Sequence, residues 1–126
     1  MSRLILDAGA FIAFEKGDAG VRSRLAAARR LGVEVATTSP VVGQVWRDGR
    51  RQALLALLVS ATLVVPPDTA AARRAGELLA ASKKSDVVDA LLAGLARDGD
   101  TILTSDAHDI RALLAAARTR ATVVTV

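Results

Sequence analysis

The sequence predicts an α/β fold, a central, mostly parallel sheet of four to five strands flanked by helices. Three observations point there. Short runs of aliphatic and β-branched residues alternate along the chain with longer Ala/Leu segments at helical spacing, the pattern of βαβ units. The first strand candidate, Leu4-Ile5-Leu6, is a continuous apolar run, as a strand covered on both faces is. Hydrophobic residues make up 52% of the 126, yet Phe11, Phe14 and Trp46 are the only aromatics, so the packing is built from small aliphatic residues. That length suits one domain, spanning 1–126, with a sizeable core.

Leu4-Ile5-Leu6 forms the first strand and ends at Asp7. Ala8-Gly9-Ala10 then lets the chain turn and approach a neighbour closely, and a helix covers Phe11 to Glu15. Asp18 caps a helix running to Leu31, with Val21, Leu25, Ala28 and Leu31 on one stripe and Gly32 as its stop. Val33 to Thr37 is the second strand. Ser39 caps the next helix with Pro40 at its first position, and its apolar residues are Val41, Val42, Val45 and Trp46. After the break at Gly49, Arg50 to Ser60 is helical with Leu54, Leu57 and Leu58 inward. Thr62 to Val65 is a third strand, stopped by Pro66-Pro67, and Asp68 or Thr69 caps a helix to Ser82. Lys83-Lys84 links it to a helix from Asp86 to Arg97, which places Val88, Leu91, Leu92 and Leu95 on a buried face. Asp98-Gly99-Asp100 is a turn, Thr101 to Thr104 the fourth strand, Ala107 to Ala117 a helix and Ala121 to Val126 a terminal strand.

Composition narrows the chemistry. Without Cys there is no disulfide, thiolate zinc site or cysteine nucleophile, and with His108 as the one histidine there is no multi-His site within a chain. A metal site would be built from oxygen ligands, which favours Mg²⁺ or Mn²⁺. The net charge of +4 and pI near 10.6 suit a polyanionic partner, although an Arg/Ala-rich composition also follows from a GC-rich genome. The apolar run at the start is too short for a signal peptide and is cut by Asp7. No run approaches the roughly 20 apolar residues that span a bilayer. The expectation is a soluble, cytoplasmic protein with no membrane partner.

The carboxylates carry the functional signal. In open parallel sheets ligands bind outside the carboxyl ends of the strands. Asp7 follows strand one and Asp106 follows strand four, while Asp86 and Asp89 lie three apart at the head of the helix before strand four. A shared edge for the four makes a cation site, because clustered carboxylates repel one another unless neutralised. The alternatives are turn chemistry for Asp7 and Asp106 and helix capping for Asp86 and Asp89.

The ordered set Leu4-Ile5-Leu6-Asp7-Ala8-Gly9-Ala10, Val87-Val88-Asp89-Ala90 and Leu103-Thr104-Ser105-Asp106 with Asp109 resembles the PIN domain of VapC-type toxins from bacterial toxin–antitoxin pairs. The resemblance covers essentially the whole chain and implies a PIN-like three-layer fold. It implies Asp7, Asp89 and Asp106 as catalytic metal-binding residues, Asp109 as an additional acid and Asp86 as a supporting neighbour. Thr104 and Ser105 would offer hydroxyls to water or phosphate. It further implies Mg²⁺- or Mn²⁺-dependent cleavage of RNA, a homodimer and an antitoxin that blocks the site. One position departs: where the family commonly carries Glu, this chain has Gln44, which keeps an oxygen but loses a charge. The rival reading is therefore a catalytically weak PIN-fold module that binds RNA or protein. A response-regulator phospho-acceptor also uses strand-end aspartates, but the late Lys it needs after a strand is missing.

Among the cations, Arg47, Arg50 and Arg51 and the pair Lys83-Lys84 are candidates for RNA phosphates, with Lys83-Lys84 better placed to flank the acidic cleft. Arg22, Arg24, Arg29 and Arg30 read as a solvated face, His108 as a loop bystander, and Trp46 as core or dimer interface. Helices from Val41 to Leu58 carry more apolar surface than a small core covers, which suits dimerisation or an antitoxin groove.

Overall fold

The computed structural model describes residues 2–126. Five parallel strands form the sheet: β1 (Leu4–Leu6), β2 (Val35–Thr38), β3 (Leu63–Val65), β4 (Thr101–Thr104) and β5 (Thr122–Thr125), in the order β3-β2-β1-β4-β5. The helices are α1 (Ala8–Glu15), α2 (Ala19–Leu31), α3 (Ser39–Val45), α4 (Ala53–Ser60), α5 (Thr69–Ser82), α6 (Val87–Leu95) and α7 (Ala107–Ala117).

Strand order assigns the layers. The chain steps from β1 to β2 to β3 in one direction, then crosses over and steps from β4 to β5 in the other. Right-handed crossovers put α1–α4 on one face and α5–α7 on the opposite face. The packing agrees: α1 contacts α2, α3 and α4, while α5, α6 and α7 contact one another. β1 and β4, where the direction reverses, are neighbours in register, with Leu4 opposite Thr101, Ile5 opposite Ile102 and Leu6 opposite Leu103. These three-layer features are those of the predicted fold class, and the sheet is parallel throughout. The central strands are sealed, with Ile5, Leu6, Ile102, Leu103, Phe11, Leu55, Leu92 and Leu113 fully buried.

Local chemistry sets the boundaries. Asp18 and Asp68 cap α2 and α5 by accepting from the amides of Val21 and Ala71, and Gly32 ends α2 at φ +68°. Asp7 caps α1, so that helix starts at Ala8 rather than Phe11. Thr38, not Ser39, is the cap of α3, because β2 runs on through Thr38 and Ser39 is already helical. Val33 belongs to the stop of α2, its amide bonded to the Ala28 carbonyl, so β2 begins at Val35. Arg50 to Gln52 do not join α4. The Gln52 carboxamide closes the preceding loop, accepting from the amides of Arg47 and Asp48 and donating to the Val45 carbonyl. α6 stops at Leu95, since Asp100 captures the Arg97 amide at 2.9 Å.

Two apolar stripes turn differently from the expectation. Leu31 stands exposed at the end of α2. In α4 the buried leucines are Leu55 and Leu58, while Leu54 and Leu57 face outward. Of the α6 stripe Leu92 is fully buried and Val88, Leu91 and Leu95 pack against the core edge. At the N-terminal edge of the sheet, a buried ion pair joins Arg3 to Asp100 at 3.0 Å, and the guanidinium also donates to the Leu95 carbonyl, tying the end of α6 to β1 and β4. No helix among the described residues is long and apolar enough to cross a membrane.

Candidate functional site

The reversal between β1 and β4 leaves an opening at their carboxyl ends, and each strand terminates there in an aspartate. The Asp7 amide donates to the Leu103 carbonyl at 3.0 Å, extending the β1–β4 pairing by one residue. Beside it the buried Thr104 hydroxyl donates to Asp7 Oδ2 at 2.6 Å and accepts from the Asp106 amide at 2.9 Å. Asp7 Oδ1 accepts from the Ala8 amide at 2.8 Å. A single threonine thus fixes both strand-end aspartates. Its hydroxyl is committed within the protein, contrary to the expectation that it faces water or phosphate.

Close approach of α1 to the β4–α7 turn depends on Gly9. A β-carbon there would collide with Ser105 Oγ and lie 2.8 Å from Ser105 Cβ and 3.0 Å from its amide nitrogen. Ser105 is exposed against α1, so of the two hydroxyls it alone faces outward.

α6 supplies the third side. Asp86 is its N-cap, accepting through Oδ1 from the amides of Val88 at 2.9 Å and Asp89 at 3.1 Å. Asp89 is turned inward, 6% exposed, and its Oδ2 is enclosed with no hydrogen-bond donor facing it. The pair therefore divides its work: Asp86 caps, and Asp89 enters the cluster. Asp106, by contrast with the other capping aspartates, makes no cap bond to α7, and its carboxylate turns to Asp89 and Asp109 instead.

Oxygens of Asp89, Asp106 and Asp109 lie within 4.8 Å of one another, and the charges of Asp7 and Asp86 also reach Asp89. Burial, the side-chain hydrogen bond with Asp106 and the charges of Asp7, Asp86 and Asp106 push the Asp89 carboxyl up to about 8. Burial also raises Asp7, against the lowering effect of the Thr104 and Ala8 hydrogen bonds, and Asp106 and Asp86 add to the rise. Asp109 goes the other way: the hydrogen bond from Lys84, 2.8 Å away, holds its carboxyl below the ordinary value. The site is thus short of positive charge at Asp7 and Asp89 and locally compensated at Asp109. Hard oxygen donors, an enclosed carboxylate oxygen without a donor and two carboxyls resisting ionisation fit a divalent cation of the Mg²⁺ or Mn²⁺ type.

The remaining candidates divide. Lys84 reaches the cluster through Asp109, whereas Lys83 is exposed and ends α5 in a left-handed conformation at φ 57°. Arg47 folds back on its own loop, donating to the carbonyls of Gly43 and Trp46. Arg50 and Arg51 are exposed beside Asp48. Gln44 is exposed on α3, a helix that starts at the carboxyl end of β2, and its carboxamide makes no hydrogen bond among the described residues. His108 is exposed, and Trp46, 39% exposed, lies against Gly49 rather than in the core. Sequence reasoning missed two features, the Lys84–Asp109 pair and the Arg3–Asp100 pair. Each joins residues far apart in the chain, and neither partner carries a local signature of the other.

No curated protein matches the chain. Its fold is shared by a chain of the crystal structure of DNA-bound VapBC from Salmonella typhimurium, at 17% identity, TM-score 0.73 and 98% coverage of both chains. It is also shared by a chain of VapBC2 from Rickettsia felis, solved bound to a DNA fragment from their promoter, at 12% identity, TM-score 0.69 and 98% coverage of both. The PIN domain family pattern matches residues 4–118, and the chain belongs to the PIN domain family.

Proposed function

We propose that this protein is a metal-dependent endoribonuclease, a VapC-like toxin that acts in the cytoplasm under the control of a cognate antitoxin. The observation that carries the reading is the carboxylate cluster of Asp89, Asp106 and Asp109 at the β1–β4 reversal, in which Asp89 also keeps a buried oxygen without a hydrogen-bond partner. Asp7, Asp89 and Asp106 would hold Mg²⁺ or Mn²⁺, and Asp109 stands beside them. The ion, when bound, would activate water and offset charge on the scissile phosphodiester.

The protein's own residues do the positioning. Thr104 locks the Asp7 carboxylate and the Asp106 backbone in one arrangement, so Asp7 does not wait on a rotamer search. Asp86 sets the first turn of α6 and with it the direction of Asp89. Asp89, with its carboxyl raised to about 8, holds a proton near neutrality and gives it up as a cation enters. Ser105, exposed over Gly9, is placed to donate to a phosphate oxygen. Lys83, Arg47 and Arg50 supply exposed positive charge for the RNA backbone at longer range.

An apolar groove of about 780 Å³ between α2, α4 and β3, lined by Phe14, Leu25, Val33, Leu58 and Leu63, supports a protein partner. So does the fold shared with chains of two VapBC structures. Exposed Leu54 and Leu57 on α4 support a homodimer. A second reading, a PIN-fold module that binds RNA without cutting it, is favoured by Gln44, which leaves the site one charge short of the family pattern.

Asp7→Asn and Asp89→Asn keep shape and remove charge. Loss of the partners that merely orient metal ligands costs about 10- to 100-fold, so removing a ligand charge is expected to lower Mg²⁺-dependent RNA cleavage by at least about a hundredfold. Circular dichroism should show the fold retained. Unchanged cleavage in both variants would sink the nuclease assignment to this site. RNA binding without cleavage by the parent protein would establish the second reading.

A further inference from the structure

The linker between α5 and α6 brings a cation into the acidic cluster. Lys84 Nζ lies 2.8 Å from Asp109 Oδ1, with the two side chains 25% and 34% exposed. The backbone holds Lys84 in place: Lys83 turns the chain in a left-handed conformation, and the Lys84 amide bonds to the Leu79 carbonyl at 3.2 Å. Asp109 in turn offers an oxygen within 4.8 Å of oxygens from Asp89 and Asp106. One carboxylate is therefore claimed from two sides, by an ammonium group and by the place where a divalent ion fits.

An ammonium and a metal ion compete for the same negative charge. A phosphodiester, carrying negative charge, is attracted by the ammonium and repelled by the uncovered carboxylates. We propose that Lys84 withholds Asp109 from the metal in the free protein and releases it when a nucleic-acid phosphate draws the ammonium away, so that metal and nucleic acid bind cooperatively. The inference rests on the metal-dependent reading above. Lysine suits such an exchange, because its charge is compact, well hydrated and carried on a flexible stem. The partial exposure of Lys84 lets a phosphate oxygen reach it without opening the core. Coupling is reciprocal, so the metal must also tighten nucleic-acid binding by the same factor.

The test measures Mn²⁺ affinity of the whole chain by calorimetry, with and without a short single-stranded DNA oligonucleotide checked by gel to remain intact. For the parent protein the oligonucleotide is expected to tighten Mn²⁺ binding about three- to tenfold, the scale of one unit charge removed from a partly exposed site. Lys84→Gln is expected to bind Mn²⁺ tighter by a similar factor without the oligonucleotide, and to gain nothing further from it. Lys84→Arg should restore the parent pattern. Arg24→Gln removes one positive charge from the exposed face of α2, away from the cluster, and should leave Mn²⁺ affinity unchanged. Asp109→Asn should abolish the coupling. Parent-like or weaker Mn²⁺ binding by folded Lys84→Gln overturns the inference, as does an oligonucleotide that leaves the parent's affinity unchanged. If the parent binds Mn²⁺ and cuts RNA while Lys84→Gln behaves identically, the nuclease reading stands and this inference alone fails. A parent protein that binds no Mn²⁺ overturns both.

Discussion

A carboxamide and a carboxylate have nearly the same shape and differ by one charge, so position 44 separates electrostatics from packing. Gln44 is exposed on α3, and its side chain is held by no hydrogen bond among the described residues. Exchange for Glu disturbs no packed contact. Asp86 compensates poorly for a charge absent at position 44, because its Oδ1 is engaged by two amides of α6. Gln44→Glu is expected to raise Mn²⁺ affinity and RNA cleavage about three- to tenfold, as one added unit charge near a divalent ion would, with the melting temperature unchanged. Equal activity in parent and variant would show that the site suffers no penalty at this position. That Gln stands at position 44, where the resemblance implies Glu, is legible in the sequence. The role of Thr104 is not, since its hydroxyl could face inward or outward until the pairing of β1 with β4 directs it at Asp7.

At the scale of the element, α6 shows how a cap can serve a site. Asp86 satisfies two amides that would otherwise lack partners, one of them belonging to Asp89 itself. Serine can replace that cap and alanine cannot. Asp86→Ser should melt like the parent, while Asp86→Ala should lose about 1 kcal/mol of stability and weaken RNA cleavage through a loosened first turn. If Asp86→Ser loses cleavage as severely as Asp89→Asn while remaining stable, Asp86 acts through its charge and not as a cap. Cap residues are also where the sequence was most readable: Asp18, Asp68, Asp86 and Gly32 each mark a helix end that the structure keeps. Boundaries failed where a distant group intervened. The Gln52 latch removes Arg50–Gln52 from α4, and Asp100 takes the Arg97 amide that would have continued α6. Helix faces were harder to read. In α4 every residue but Ser60 is apolar, so spacing alone could not choose Leu55 and Leu58 over Leu54 and Leu57.

For the whole molecule, alternation of strands and helices specifies layers, but strand order decides where the chemistry sits. With β1 beside β4, the reversal point collects Asp7 and Asp106, and the crossover from β3 carries α6 to the same edge. The opposite edge holds Arg3 and Asp100, so buried aspartates at the two ends of the sheet respond oppositely to pH. Burial works against the Asp100 charge, but the amides of Arg97 and Arg3 and the Arg3 guanidinium outweigh it and hold its carboxyl below the ordinary 3.8. Its contribution is present above that value and is lost as pH falls through the lowered one. Asp89 has the reverse sign. Its folded carboxyl titrates at about 8 against 3.8 unfolded, so the folded state binds the extra proton between them. The stability it lends is full below the unfolded value and declines as pH rises, until the folded group has ionised. The metal-free protein should therefore melt at progressively lower temperature from about pH 4 to about pH 8, and Asp89→Asn should flatten that slope. At pH 8 the variant should exceed the parent in stability by about 1–3 kcal/mol, the scale of a buried polar group relieved of an unmet demand. Mg²⁺ should raise the parent's melting temperature at that pH by mass action and leave Asp89→Asn nearly unmoved. A flat profile for the metal-free parent across this range, measured by calorimetry, would mean that Asp89 ionises in the fold as it does in the unfolded chain and that burial holds no proton on it.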